Sequence, residues 1–258
     1  ALPGCQQQGP TDLGPAIKDD RPLATILADS GLETAAQALA GRPQTAETGF
    51  QLGAVRFLRA IYTMMQVRYD SYDASIPFIP GMIADLPANP NARFTPDFLE
   101  TALTGALTHL SAAEAALATA TAGEFAADIP LEAVWFDIDR NSQRAEWEAL
   151  TTILQATGAQ VDWAAINGAI RFDTADAEWL AAYVSLVSGT AELVLSLDPT
   201  EGIRKIYEGR QQLERAGAVG APDHMFGAYQ WIDQAAAVIM VLDGKPDAAR
   251  TRRALDHY

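Results

Sequence analysis

Leu99, Leu103, Leu107, Leu110 and Leu117 recur at intervals of three, four or seven. Only an α-helix brings residues at that spacing onto one face. Alanine fills much of the sequence between them, which favours the helix and lets a neighbouring backbone come close. The period returns at Phe50, Ala54, Phe57, Ile61 and Met64, with Arg56, Arg59 and Arg68 off that line, predicting a helix from about 46 to 69. A third stripe, Trp179, Leu180, Tyr183, Val184, Leu186, Val187, Ala191 and Val194, is broad enough to predict the central buried helix.

The ends of these segments carry their own signals. Thr95-Pro96-Asp97 begins the leucine helix, which runs to about Ala120, and Asp173 or Thr174, with Asp176 in the first turn, caps the one ending near Leu197. Pro199-Thr200 opens a helix to about Ala216, Pro222-Asp223 one to about Leu242, and Pro246-Asp247 the last. An earlier helix spans about Leu23 to Leu39, stopped by Gly41 and Pro43, and a small one lies around Val161 to Asn167. Residues 1 to 22 are rich in proline and glycine without periodicity and read as an irregular tether. Residues 70 to 95 read as a long loop whose Ile76, Phe78, Ile79, Met82 and Ile83 dock on the surface. The expected fold is all-α: one multi-helix domain of about eight or nine helices over residues 23–258. A brief strand at Ala169 to Phe172 permits a short two-stranded pairing near the acidic loop described next.

That loop is Asp137-Ile138-Asp139-Arg140-Asn141-Ser142-Gln143-Arg144-Ala145-Glu146-Trp147-Glu148. It places oxygen side chains at positions one, three and five and a glutamate at position twelve, and in this spacing it resembles an EF-hand calcium loop. The resemblance covers this segment alone. It implies one calcium ion held by the side chains of Asp137, Asp139 and Asn141, the backbone carbonyl of Gln143, a water at Ala145 and both oxygens of Glu148. Two positions depart from the pattern. Ser142 stands where the turn calls for a glycine at positive φ, which implies about 1 kcal/mol or more of strain. Arg144 stands where a branched apolar residue would pair with a second such loop, and the chain has no second loop. With Arg140 and Arg144 offsetting ligand charge, the expected affinity is on the order of 10⁻⁵ to 10⁻³ M, suited to a structural clip. The incoming half, after Pro130, is expected as a short helix or an extended segment, and the outgoing helix from about Ser142 to Gln155. The competing reading needs no metal: Asp139 or Asn141 caps that helix.

With 33 acidic and 18 basic residues the net charge is −15, which opposes binding to nucleic-acid phosphates. A hydrophobic content of 49% with 20% charged residues indicates a packed chain and not a disordered one. No membrane span is expected, because the segment from Trp179 to Leu197 is interrupted by Glu192. The single cysteine, Cys5, excludes an internal disulfide. Leu2-Pro3-Gly4-Cys5 resembles the end of a bacterial lipoprotein signal, which implies export to the periplasm, either soluble or anchored through a lipid on Cys5.

Catalytic spacing is lacking. The sequence holds His109, His224 and His257 with no acidic or histidine partner at metal-pair spacing, and no Gly-rich phosphate loop or Gly-x-Ser-x-Gly. The function expected is an exported calcium-binding helical protein with a binding or scaffolding role toward a protein partner. The alternative is a metal-free helical interaction protein, and an enzyme with an unrecognised site is a third reading.

Overall fold

A computed structural model describes residues 13–71, 86–156, 169–217, 239, 242 and 244–258. Cys5, the apolar residues of the long loop expected to dock, His224, and the expected helices around Val161 to Asn167 and Pro222 to Leu242 lie outside the described residues. Among the described residues there are seven α-helices against the eight or nine expected: α1 Leu23–Ala40, α2 Ala46–Asp70, α3 Phe98–Ala120, α4 Leu150–Ala156, α5 Thr174–Ser196, α6 Pro199–Arg215 and α7 Ala248–Asp256. A two-stranded antiparallel sheet accompanies them, β1 Ala126–Ile129 against β2 Ile170–Asp173, with Ala127 opposite Phe172.

The chain divides into two compact units. The first comprises Ala1–Thr63 and Gly105–Val184. In it α1 buries Ile26, Leu27, Ala35 and Leu39, and α3 buries Leu110 and Leu117. Gly49 and Gly53 of α2 let the α3 backbone approach so closely that a Cβ at Gly49 would lie 2.9 Å from the Ala116 carbonyl oxygen. Phe50 ties the sheet to α2, its ring 5.1 Å from that of Phe125 and 5.3 Å from that of Phe172. The strand partner β1 falls in a stretch whose sequence reads only as a break, because its four residues are too few to show a period. At the β2–α5 junction the Asp173 carboxylate accepts the Ala175 N–H at 2.9 Å, while the Asp176 carboxylate accepts the Asp173 N–H at 2.8 Å. This reciprocal cap is why the helix starts where it does.

The second unit comprises Met64–Thr104 and Ser185–Tyr258. Its α7 begins at Asp247, whose carboxylate accepts the Arg250 N–H at 2.7 Å. Arg250 and Arg253 then both bond the carboxylate of Glu192 on α5, at 3.0 and 2.7 Å. Phe94 packs against Tyr207 of α6 with the rings tilted and their centroids 4.9 Å apart.

Arg56 and Arg68, off the apolar line of α2, are buried. One expectation is corrected. Helix α5 is not buried all round: Ala177, Leu180, Val184, Ser188, Ala191 and Leu195 face inward, while Trp179 is 66% exposed, Leu186 48% and Leu193 44%. An 18-residue window of α5 has a mean hydropathy of 1.3, enough to cross a membrane by length and composition only, and 44% of that window is buried within the protein. Glu192 alone does not lower its average enough, and the two arginines of α7 satisfy that carboxylate.

Candidate metal centre

The acidic loop is closed at its base by backbone pairing. Phe136 N–H donates to the Glu148 carbonyl at 2.9 Å and Leu150 N–H to the Val134 carbonyl at 3.0 Å, so Trp135 and Ala149 face each other across an antiparallel bridge. This pairing requires extended backbone on both sides. Consequently the flanks are not the two helices of an EF-hand. The incoming side is a 3₁₀ turn, Leu131–Ala133, followed by extended Val134. On the outgoing side the expected helix from Ser142 is replaced by a 3₁₀ turn, Glu146–Glu148, an extended Ala149 with ψ 136°, and only then α4.

Within the loop the polar side chains wrap the backbone. Asp137 Oδ1 accepts the Ser142 N–H at 3.0 Å, Asp139 Oδ1 the Asn141 N–H at 3.1 Å, and Asn141 Oδ1 the Gln143 N–H at 2.6 Å. Arg140 and Ser142 take positive φ, 59° and 58°, as the tight curl demands, at a cost of about 1–2 kcal/mol each. Ser142 thus adopts the conformation the sequence assigns to position six.

Glu148 is fully buried and reaches back across the curl. Its Oε1 accepts the Ile138 N–H at 2.7 Å and the Asp139 N–H at 3.4 Å, and its Oε2 accepts the Ala145 N–H at 3.1 Å. One oxygen each from Asp137, Asp139 and Glu148 lies within 4.8 Å of the others. Two oxygens that ligate one calcium at about 2.3–2.6 Å stand at most about 5 Å apart, so this triangle is the size one hard cation requires. Burial pushes the Glu148 carboxyl above the usual carboxylate range, and the charge of Asp139 adds to this. The N–H groups of Ala145, Ile138 and Asp139 oppose the rise without cancelling it.

Of the five ligands implied by the resemblance, these three come together. Asn141 is attached to them through its Nδ2, which donates to Asp139 Oδ2 at 2.8 Å. The Gln143 side chain is exposed. The sequence does not reveal Tyr62, which donates its O–H from α2 to the Asp137 carbonyl at 2.7 Å and holds the loop against the helix. No local signal could join residues so far apart in the chain. Arg144 donates to the Glu132 carbonyl at 2.7 Å, so at position eight it staples the loop to its own flank. No protein-family model, curated protein or solved structure matches the chain.

Proposed function

We propose that residues 137–148 hold one calcium ion as a structural clip in an exported helical protein whose task is binding or scaffolding. The reading is carried by the three carboxylate oxygens of Asp137, Asp139 and Glu148 within 4.8 Å of one another, in a loop with calcium spacing. Asp137, Asp139 and Asn141 supply side-chain oxygens, Gln143 its carbonyl and Glu148 both carboxylate oxygens. Oε2 of Glu148 keeps a second lone pair beyond the Ala145 N–H it accepts, whereas Oε1 accepts both the Ile138 and the Asp139 N–H, so bidentate binding displaces the longer, 3.4 Å bond to Asp139. The ion neutralises a buried carboxylate and locks the base bridge to the curl above it. Calorimetric titration of the chelator-treated protein should give one site with a dissociation constant on the order of 10⁻⁵ to 10⁻³ M, lost in Glu148→Gln. Absence of heat, together with identical melting in calcium and in chelator, ends the proposal.

A second reading has a specific observation in its favour. Asp137, Asp139 and Glu148 all accept backbone N–H groups, so the loop can close as a metal-free clasp. Under that reading Glu148→Gln lowers the melting temperature equally with and without calcium.

A further inference from the structure

Helix α5 is apolar on its outer face as well as on the face it buries. Trp179, Leu186 and Leu193 are exposed and follow one another at intervals of seven, with Tyr183 and Thr190 between them. The steps of four and three residues are those of a coiled-coil seam. All five lie on one helix, so its 3.6-residue turn alone sets them on a common face. No charged residue stands in the seam. The Trp179 ring lies flat on that of Tyr183, with centroids 5.3 Å and planes 7° apart, and is thereby oriented at the surface. Along the carboxyl half of α5 the seam is edged by α7. There Tyr258 covers Gly189, where a Cβ would stand 3.0 Å from its ring, and its hydroxyl is 3.3 Å from Thr190 Oγ1. Leu255, three residues earlier and so on the same side of α7, and Tyr258 are each 67% exposed.

The spacing is self-complementary. Leu186 has a large apolar residue seven places away on either side, so a second helix laid end for end over it sets Leu186 on Leu186 and Trp179 of each copy beside Leu193 of the other. This is the isologous contact of a two-fold dimer, and it brings no like charges together in the seam. Antiparallel pairing also opposes the helix dipoles and gives Trp179 the edge formed by Leu255 and Tyr258. The area is sufficient. At their exposures the rings of Trp179 and Tyr258 leave about 100–170 Å² each, and the three leucines about 100–200 Å² together. Two copies therefore withdraw roughly 600–1,000 Å² of apolar surface. Since about two-thirds of a homodimer interface is apolar, the whole covers roughly 900–1,500 Å², which spans the ~1,200 Å² of a stable one. A lipid surface would call for basic residues beside such a face, and α5 has none.

We infer that the outer face of α5 is the interface of an antiparallel homodimer centred on Leu186. The inference goes beyond the calcium reading and does not rest on it. Sedimentation equilibrium of the full chain in chelator should show monomer and dimer in exchange, with a dissociation constant on the order of 10⁻⁶ to 10⁻⁵ M for an interface at the lower end of the stable range. Leu186→Asp sets two carboxylates face to face on the two-fold axis and should weaken the dimer about a hundredfold or more. Melting of the dilute monomer should change little, because this side chain is already half exposed. The direction of pairing is read by a spin label on Ala175→Cys in a Cys5→Ser background. End-for-end pairing holds the two labelled backbones about 33 Å apart, eleven residues to either side of the axis, whereas a parallel pair holds them about 10 Å apart. A monomer at every concentration, a dimer that Leu186→Asp leaves intact, or a separation near 10 Å overturns the assignment. A monomer that co-sediments with phosphatidylcholine–phosphatidylglycerol vesicles gives the face to a lipid surface and overturns it equally.

Discussion

Replacing Glu148 by glutamine puts an NH₂ group where Oε2 now accepts the Ala145 N–H or where Oε1 accepts that of Ile138. One buried donor then faces another, and the metal-free protein should lose roughly 1–3 kcal/mol, read by urea unfolding in chelator. The acid–base behaviour gives a sign. Because the folded state holds the Glu148 carboxyl above its usual range, the folded protein binds its proton more tightly than the unfolded chain. The contribution of this group therefore falls as pH rises from the ordinary glutamate value, about 4.3, through the raised one. Calcium, which requires the carboxylate, should bind more tightly across the same interval. Glu192 runs the other way. Burial alone would raise its carboxyl, but the hydrogen bonds from Arg253 and Arg250 outweigh it and hold the group below the usual range. Glu192→Gln should lower the melting temperature at neutral pH, and the difference should shrink as pH falls below about 4.3 through the depressed value. A gap independent of pH would mean that the charge of Glu192 contributes nothing.

The elements show why some small residues cannot be exchanged. Alanine is the better helix former by up to about 1 kcal/mol, yet Gly49→Ala should destabilise by roughly 1–3 kcal/mol. Its Cβ would stand 2.9 Å from the Ala116 carbonyl oxygen and 3.0 Å from the Ala120 nitrogen, and backbone cannot move aside as a side chain can. A stabilised Gly49→Ala variant in thermal melting would contradict this packing of α2 on α3. Elements were also where sequence was most readable. The starts of α5, α6 and α7 follow from Asp173, Pro199 and Asp247, because a cap is a local event among three or four residues. The break of α1 at Gly31, whose φ is 72°, was illegible for the converse reason: a glycine inside an apolar period costs little, and only packing shows whether it is helical or left-handed. The 3₁₀ turn that ends the acidic loop was likewise hidden, since pairing of Phe136 with Glu148 competes with helix formation and leaves no mark on the helical period.

Over the whole molecule, charge governs the response to ions. A net charge of −15 attracts calcium and strains the compact state by self-repulsion. Raising ionic strength from 0.01 to 1 M shortens the screening length from about 30 to about 3 Å. It should weaken calcium binding while raising the melting temperature in chelator. If both quantities move the same way, long-range charge is not what sets them. Calcium at a hundred times its dissociation constant should stabilise the folded chain by about 2.7 kcal/mol, and chelator should remove that gain.

The amino-acid order alone determined that the chain is mainly helical, where most helices begin, and that Asp137, Asp139 and Glu148 share one short loop, because each depends on neighbours a few residues apart. Only the tertiary structure decided that Glu148 is buried within hydrogen-bond reach of Ile138 and Ala145, that Tyr62 braces Asp137, and that α1 breaks beside Trp135. Burial and long-range hydrogen bonding depend on which surfaces meet, and distant segments settle that together.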